Sequence, residues 1–146
     1  MMKVLIQRVS AARVEVAGET VGEIGRGILA LVGLEPEDGT VQLEKMLNKL
    51  LNYRIFTDAE GRMNCSLKDI NGGLLLVSQF TLAADTRSGL RPGFSTAAAP
   101  ELAEQLFERF VGMAQAVWPQ VAAGRFGADM QVSRTNDGPV TFLLQV

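Results

Sequence analysis

The chain predicts a single mixed α/β domain, and three observations carry that prediction. Its 146 residues suffice for one sizeable core. Short alternating or continuous apolar runs, punctuated by glycine, recur towards both ends of the chain. Two segments between them carry apolar residues at helical spacing instead. Apolar residues make up 47% and charged residues 21%, the balance of an ordinary soluble globular protein. No apolar run reaches the roughly 18 residues of a membrane span. The N-terminus enters a strand pattern directly, without the length or cleavage site of a signal peptide. A cytoplasmic protein with no membrane partner is expected.

In chain order, Lys3–Val9 alternates as a strand, and Arg13–Ala17 reads as a second with Val14 and Val16 on one face. Gly18-Glu19 is a tight hairpin loop into Thr20–Ile24, and Gly25-Arg26-Gly27 turns the chain again. Ile28–Leu34 is almost continuously apolar, the pattern of a central strand. An acidic loop, Glu35–Gly39, precedes a helix over Val41–Leu51, with Thr40 as its expected N-cap. Leu43, Met46, Leu47, Leu50 and Leu51 form its buried stripe. Tyr53–Thr57 reads as a strand, and Leu67–Asn71 leads to the pair Gly72-Gly73. A second helix begins at Pro100, a residue suited to a first helical turn. Leu102, Leu106, Phe110, Met113 and Val117 mark its stripe, and Trp118-Pro119 ends it. Met130–Ser133 and Val140–Val146 close the chain as strands around a turn at Thr135–Pro139. Both helices have one apolar face, so both are expected to cover the same sheet system. One domain, residues 1–146, is predicted.

Two absences constrain the chemistry. Cys65 is the single cysteine, which excludes an internal disulfide and a cysteine-rich metal site. Histidine is absent altogether. That removes Ser-His-Asp and Cys-His catalysis, histidine zinc sites and the usual base near neutral pH. No cofactor and no obligatory metal are expected. A net charge of −2 provides no global basic field, so a nucleic-acid partner would need a local patch.

The candidate site lies where a strand changes character. Leu74-Leu75-Leu76-Val77 is apolar, and Ser78-Gln79-Phe80-Thr81 follows at once. Burying those polar side chains unpaired would cost about 1–3 kcal/mol each. Either the strand end lines a cleft, or its polar groups are satisfied locally. A hydroxyl with no adjacent base is a poor nucleophile, whereas backbone N–H groups at a strand end can hold an oxyanion. After it comes Ala84–Phe94, a long loop without pattern, of a kind that is often functional. Its Arg87 and Arg91 read equally as phosphate contacts or as solvated side chains. Gly138-Pro139 reads as a plain turn, or as a site for a cis bond.

Several of these stretches resemble signature motifs of the D-aminoacyl-tRNA deacylase family. They are Ser78-Gln79-Phe80-Thr81-Leu82, Asn136-Asp137-Gly138-Pro139-Val140-Thr141, the start Met2–Val9, and Gly89-Leu90-Arg91-Pro92-Gly93-Phe94. The resemblance runs the length of the chain, apart from an extra methionine at its start. It implies a homodimer with a three-layer α/β/β fold of mixed, largely antiparallel sheets and two main helices. It implies hydrolysis of the ester between a D-amino acid and the terminal adenosine of tRNA, and also of glycine mischarged on tRNA(Ala). Ser78, Gln79, Phe80 and Thr81 would form the catalytic platform. Gly138 and Pro139, joined by a cis bond, would enter the partner subunit's pocket as a filter against L side chains. Arg87, Arg91, Pro92, Phe94 and Asn136 would contact the substrate or its 3′ end. The substrate's own 2′-hydroxyl would assist catalysis, which suits a chain without histidine. Two alternatives are a Thr- or Ser-dependent hydrolase of small esters and a nucleic-acid-binding module without catalysis.

Overall fold

The computed structural model describes residues 1–146. Strand β1 spans Lys3–Val16, β2 Glu19–Ile24 and β3 Gly27–Gly33. Helix α1 (Thr40–Asn52) follows, then a small hairpin of β4 (Phe56–Thr57) and β5 (Met63–Cys65). One helical turn, α2 (Leu67–Ile70), leads into β6 (Gly73–Ser78). After a 3-10 turn at Phe80–Ala83 come α3 (Pro100–Val117), β7 (Val121–Ala123) and β8 (Gln131–Gln145).

The main sheet has the order β2-β1-β3-β6-β7, with β8 paired to β1. Pairings of β1 with β2, β3 and β8 are antiparallel, and β3-β6-β7 are parallel. β1 can serve three partners because it is long. Lys3–Val9 pairs with β3, Ala12–Val16 pairs with β2, and β8 runs beside both halves. An extra residue in β1 between the rungs Val9–Asn136 and Ala11–Thr135 breaks the two-residue alternation. Val9 and then Ala12 and Val14 therefore all reach the same core. This bulge is why the segment reads as two strands in sequence and folds as one.

Two cores separate three layers, the α/β/β arrangement. Ile28, Ala30, Val32, Leu74 and Leu76 pack with Leu43, Met46 and Leu50 of α1 and Leu106 and Phe110 of α3. On the other face Leu29, Leu75 and Val77 meet Val9, Ala12, Val14 and Ile24, where the sheet curls over itself. A Cβ at Gly22 of β2 would come 2.6 Å from the Ala123 carbonyl of β7, so the curl brings the sheet's ends together. β6 is thus covered on both faces, as its apolar run requires.

Several expectations need correction. Gly39, not Thr40, is the N-cap of α1, and its N–H donates to Gln42 Oε1 at 2.9 Å. The Thr40 hydroxyl instead accepts from Arg109 of α3 at 2.9 Å, tying the two helices together. Only Phe56–Thr57 of the Tyr53–Thr57 segment is strand. The two C-terminal strands are one, β8, and β7 and α2 had no expectation at all. β7 is short, and its Val-Ala-Ala pairs because the edge of β6 offers a ladder. α2 carries a readable signal, Ser66 capping with Asp69 three residues on.

Gly27 and Gly73 are paired across β3 and β6, and a Cβ on Gly27 would overlap the backbone of Gly73. Gly27→Ala is expected to destabilise by about 1–3 kcal/mol or more, the cost of overpacking against rigid backbone. Urea unfolding should show a lower midpoint with unchanged slope. Gly25→Ala, with nothing within 4 Å of its Cβ, should leave the midpoint in place.

Candidate functional site

The strand end does leave the core. Gln79 donates its N–H to the Val32 carbonyl at 2.7 Å, the last rung between β3 and this segment. The chain then folds into the 3-10 turn, closed by Leu82 N–H to the Gln79 carbonyl at 3.1 Å. Leu82 packs on Gly33, and Ala83 is fully buried, which pins the turn to the end of β3. The other side of the turn is presented outward. Ser78 and Gln79 are half-buried, while Phe80 and Thr81 are exposed. The first N–H groups of a helical turn have no acceptor within it. Those of Phe80 and Thr81 open this turn.

The Gln79 side-chain amide donates to the Thr81 hydroxyl oxygen. No carboxylate, lysine or tyrosine hydrogen-bonds Ser78, Gln79 or Thr81, so no base prepares either hydroxyl for attack. Phe80 is 58% exposed and lies against Phe94, ring centroids 5.3 Å apart. The pair forms an aromatic wall beside the polar shelf.

The loop carrying Phe94 is closed by reciprocal backbone bonds between Asp85 and Gly93, at 2.7 and 3.0 Å. Thr96 Oγ1 donates to the Ala83 carbonyl at 2.6 Å and returns the loop to the 3-10 turn. Arg87 folds back on Asp85 through Nε and Nη2, both at 2.9 Å. Those side-chain bonds, helped by the Arg87 N–H, hold the Asp85 carboxyl well below the usual range. The Arg87 guanidinium is therefore committed to a carboxylate. Arg91 and Pro92 are exposed beside it, and Arg91 makes no ion pair.

The second group of predicted residues lies on β8. Gln7 pairs with Thr141 and Val9 with Asn136. Between those rungs β1 has one residue, Arg8, and β8 has four, Asp137–Val140. These four are looped out of the ladder, with Asp137, Gly138 and Pro139 exposed and the Gly138-Pro139 bond cis. Asn136 closes the loop from both ends of its amide: Oδ1 accepts from Val140 N–H at 2.7 Å and Nδ2 donates to Thr141 Oγ1 at 2.9 Å.

Arg8 holds the loop, and no role was expected for it. Its Nε donates to the Asp137 carbonyl at 2.9 Å and its Nη1 to the Ile55 carbonyl at 2.8 Å. The side chain is only 13% exposed. Its signal was available in the alternation of β1: Val4 and Ile6 are fully buried on the helix face, and Arg8 is next on that face. A cation there needs fixed acceptors. No hydrogen bond joins the looped-out residues to Ser78–Thr81 within the chain.

A strand end with free backbone donors, an amide, hydroxyls and no base suits hydrolysis of a substrate that is already activated, such as an ester. Kinship agrees. The family described as D-Tyr-tRNA(Tyr) deacylase matches residues 5–145. A D-aminoacyl-tRNA deacylase of Pseudomonas paraeruginosa is 69% identical over 144 residues, 99% of both chains. One of Pseudomonas aeruginosa is 68% identical over the same span. The solved structure titled c-Myc DNA Unwinding Element Binding Protein superposes with a TM-score of 0.94 at 40% identity, over 99% of this chain and 98% of that one. The fold is shared with a probable eukaryotic D-amino acid tRNA deacylase, at a TM-score of 0.85 and 19% identity over 99% of each chain. The chain belongs to the D-Tyr-tRNA(Tyr) deacylase family and is a hydrolase of carboxylic ester bonds.

Lysine at position 8 could not bridge two carbonyls with a planar fork. Arg8→Lys should leave a part-buried acceptor unmet, at about 1–3 kcal/mol. Hydrogen exchange should accelerate at the Val140 amide while Leu74–Val77 stay protected. Equal protection in both proteins would contradict the anchoring role.

Proposed function

We propose that this enzyme removes D-amino acids from tRNA by hydrolysing the ester to the terminal adenosine. The observation that carries the proposal is a full-length relationship to D-aminoacyl-tRNA deacylases combined with a base-free polar shelf. The Phe80–Phe94 wall offers a face for the terminal adenine. The N–H groups of Phe80 and Thr81 receive the negative charge that develops on the carbonyl oxygen, and the ribose 2′-hydroxyl orients the attacking water. One such donor is worth about 2.7–4 kcal/mol in the transition state. Glycine mischarged on tRNA(Ala) fits the same shelf, since it has no side chain to exclude. Arg91 and Pro92 lie along the loop that leads to the shelf, and Arg87 reaches a phosphate only by leaving Asp85.

The working unit is a homodimer. β8 pairs only with β1, which leaves the outer edge of its two ladder segments, on either side of the Asp137–Val140 loop, unpaired. An open strand edge is a pairing hazard in a monomer. Beside it, the rungs Leu5–Leu143 and Leu5–Leu31 leave three leucines incompletely covered on one face. Across the two-fold axis, Gly138 and Pro139 of each subunit reach the other's shelf and close it to L side chains. A main-chain wall rejects one enantiomer without reading side-chain identity. The enzyme acts in the cytoplasm, where its substrate is made, and requires no metal.

The rival mechanism makes Thr81 a nucleophile. Magnitudes separate the two. Removing a true nucleophile costs about 10⁶-fold in kcat, whereas losing one hydrogen bond costs about 1 kcal/mol, or fivefold. Thr81→Ala should therefore keep kcat on D-tyrosyl-tRNA within about tenfold of wild type. Near-complete loss in a folded variant would restore the nucleophile and with it the small-ester reading. Phe80→Ala is expected to raise KM by about 5- to 160-fold, the 1–3 kcal/mol of a base stacked on an aromatic ring. Phe80 is exposed, so its unfolding midpoint should not move.

A further inference from the structure

We propose that Lys45 and Lys49 form a docking strip for phosphates of the tRNA acceptor strand, delivered towards the shelf of the neighbouring subunit. This extends the deacylase reading and rests on it. A groove of about 380 Å³ runs between the C-terminal half of α1 and the end of β8, lined by Lys45, Asn48, Lys49, Asn52, Tyr53 and Val146. None of the six has an acidic side chain. Lys45 and Lys49 lie one helical turn apart on one face of α1, with Asn48 and Asn52 repeating the spacing beside them. Neither lysine takes part in any ion pair of the chain. Glu44, the adjacent acid, lines the groove between α1 and α3 instead.

Charge separates this groove from the larger polar one. That groove, about 560 Å³ on β1, β2 and β8, contains Arg13 and Arg134 but also Glu23. Arg13 is bound to Glu15 at 2.7 Å and Arg134 to Gln7 at 3.0 Å. Arg13 is thereby neutralised, whereas Arg134 keeps its charge on a neutral amide, beside Glu23. The α1 groove has no acidic side chain beside its two lysines, in a chain whose net charge is −2. A locally cationic groove on an acidic protein complements a polyanion.

Position points the same way. Tyr53, at the groove's end, packs edge-on against Phe142 of β8 at 6.0 Å. Two residues further, the Ile55 carbonyl shares Arg8 with the Asp137 carbonyl. The groove therefore ends beside the Asp137–Val140 loop. In the proposed dimer, a strand whose 3′ end sits on the partner's shelf passes this loop, and its next phosphates are assigned to the lysines.

The test measures binding of uncharged tRNA and hydrolysis of D-tyrosyl-adenosine, in parallel, for wild type, K45A/K49A and K45R/K49R. K45A/K49A should bind tRNA about tenfold more weakly at moderate salt. Its plot of log affinity against log salt should be shallower by about 1.4–1.8, at about 0.7–0.9 for each phosphate that is no longer neutralised. Hydrolysis of D-tyrosyl-adenosine, which has no acceptor strand, should not change, and K45R/K49R should restore tRNA affinity. Unchanged affinity and slope in K45A/K49A would overturn the proposal. So would an equal loss on both substrates that the arginine variant fails to repair. A changed sedimentation mass without tRNA would assign the groove to subunit contact instead, and would also overturn it. If wild type binds tRNA but hydrolyses neither D-aminoacyl substrate, the deacylase reading fails while the binding arm still decides the groove.

Discussion

One residue of β1 faces four of β8, and the projecting Asp137–Val140 loop follows from that mismatch. A regular ladder would hold Gly138 and Pro139 in register with β1, where a proline has no N–H to give to a rung. Looping out four residues frees the proline from the ladder and leaves three of them at the surface. The loop would be floppy without an anchor. Arg8, the residue left opposite it, reaches the Asp137 and Ile55 carbonyls at 2.9 and 2.8 Å, while Asn136 ties the loop's two ends. The four residues are presented as a fixed projection.

The polar shelf at Ser78–Thr81 depends on the opposite property, a strand buried as fully as the fold permits. Leu74–Val77 contributes to both cores, so β6 is held from two sides up to Ser78. Its last rung at Gln79 comes immediately before the chain turns away. The donors of Phe80 and Thr81 are therefore mounted on a strand held rigidly from both faces, while their side chains face outward. Catalysis by oriented backbone dipoles needs that rigidity, because reorganising them during reaction would forfeit their effect. The missing histidine and the exposed shelf are both consistent with the proposed mechanism, in which positioning acts on an ester that is already reactive.

Much of this was legible in the residues. The apolar period of α1, the glycine turns and the central place of Ile28–Leu34 and Leu74–Val77 followed from pattern alone. In α3 the expected stripe held at Leu106 and Phe110, but Ala103, Phe107 and Ala114 complete the buried face and Val117 is exposed. The break at Ser78 marked the shelf because polar residues cannot end a dry strand unpaired. Other features were hidden for physical reasons. A bulge in β1 reverses the alternation, so one strand looked like two. β7 owes its pairing to its neighbour's edge rather than to its own composition. Arg8 stood on a core face in plain view, but its partners are backbone carbonyls 47 and 129 residues away, which no local pattern names. The cis bond had no local pattern behind it until the family resemblance was added. Arg87 and Arg91 looked alike in sequence, and only the Asp85 contact separates them.

In the proposed dimer each site is completed by the other subunit, and the mechanism stands or falls with that exchange. A photoreactive diazirine side chain at position 137, on the exposed loop, tests it most directly when isotopically heavy and light chains are mixed before irradiation. Completion across the two-fold axis predicts cross-links joining heavy to light chains and landing within Ser78–Phe94. Cross-links confined to single chains, or inter-chain links that fall elsewhere, would contradict it.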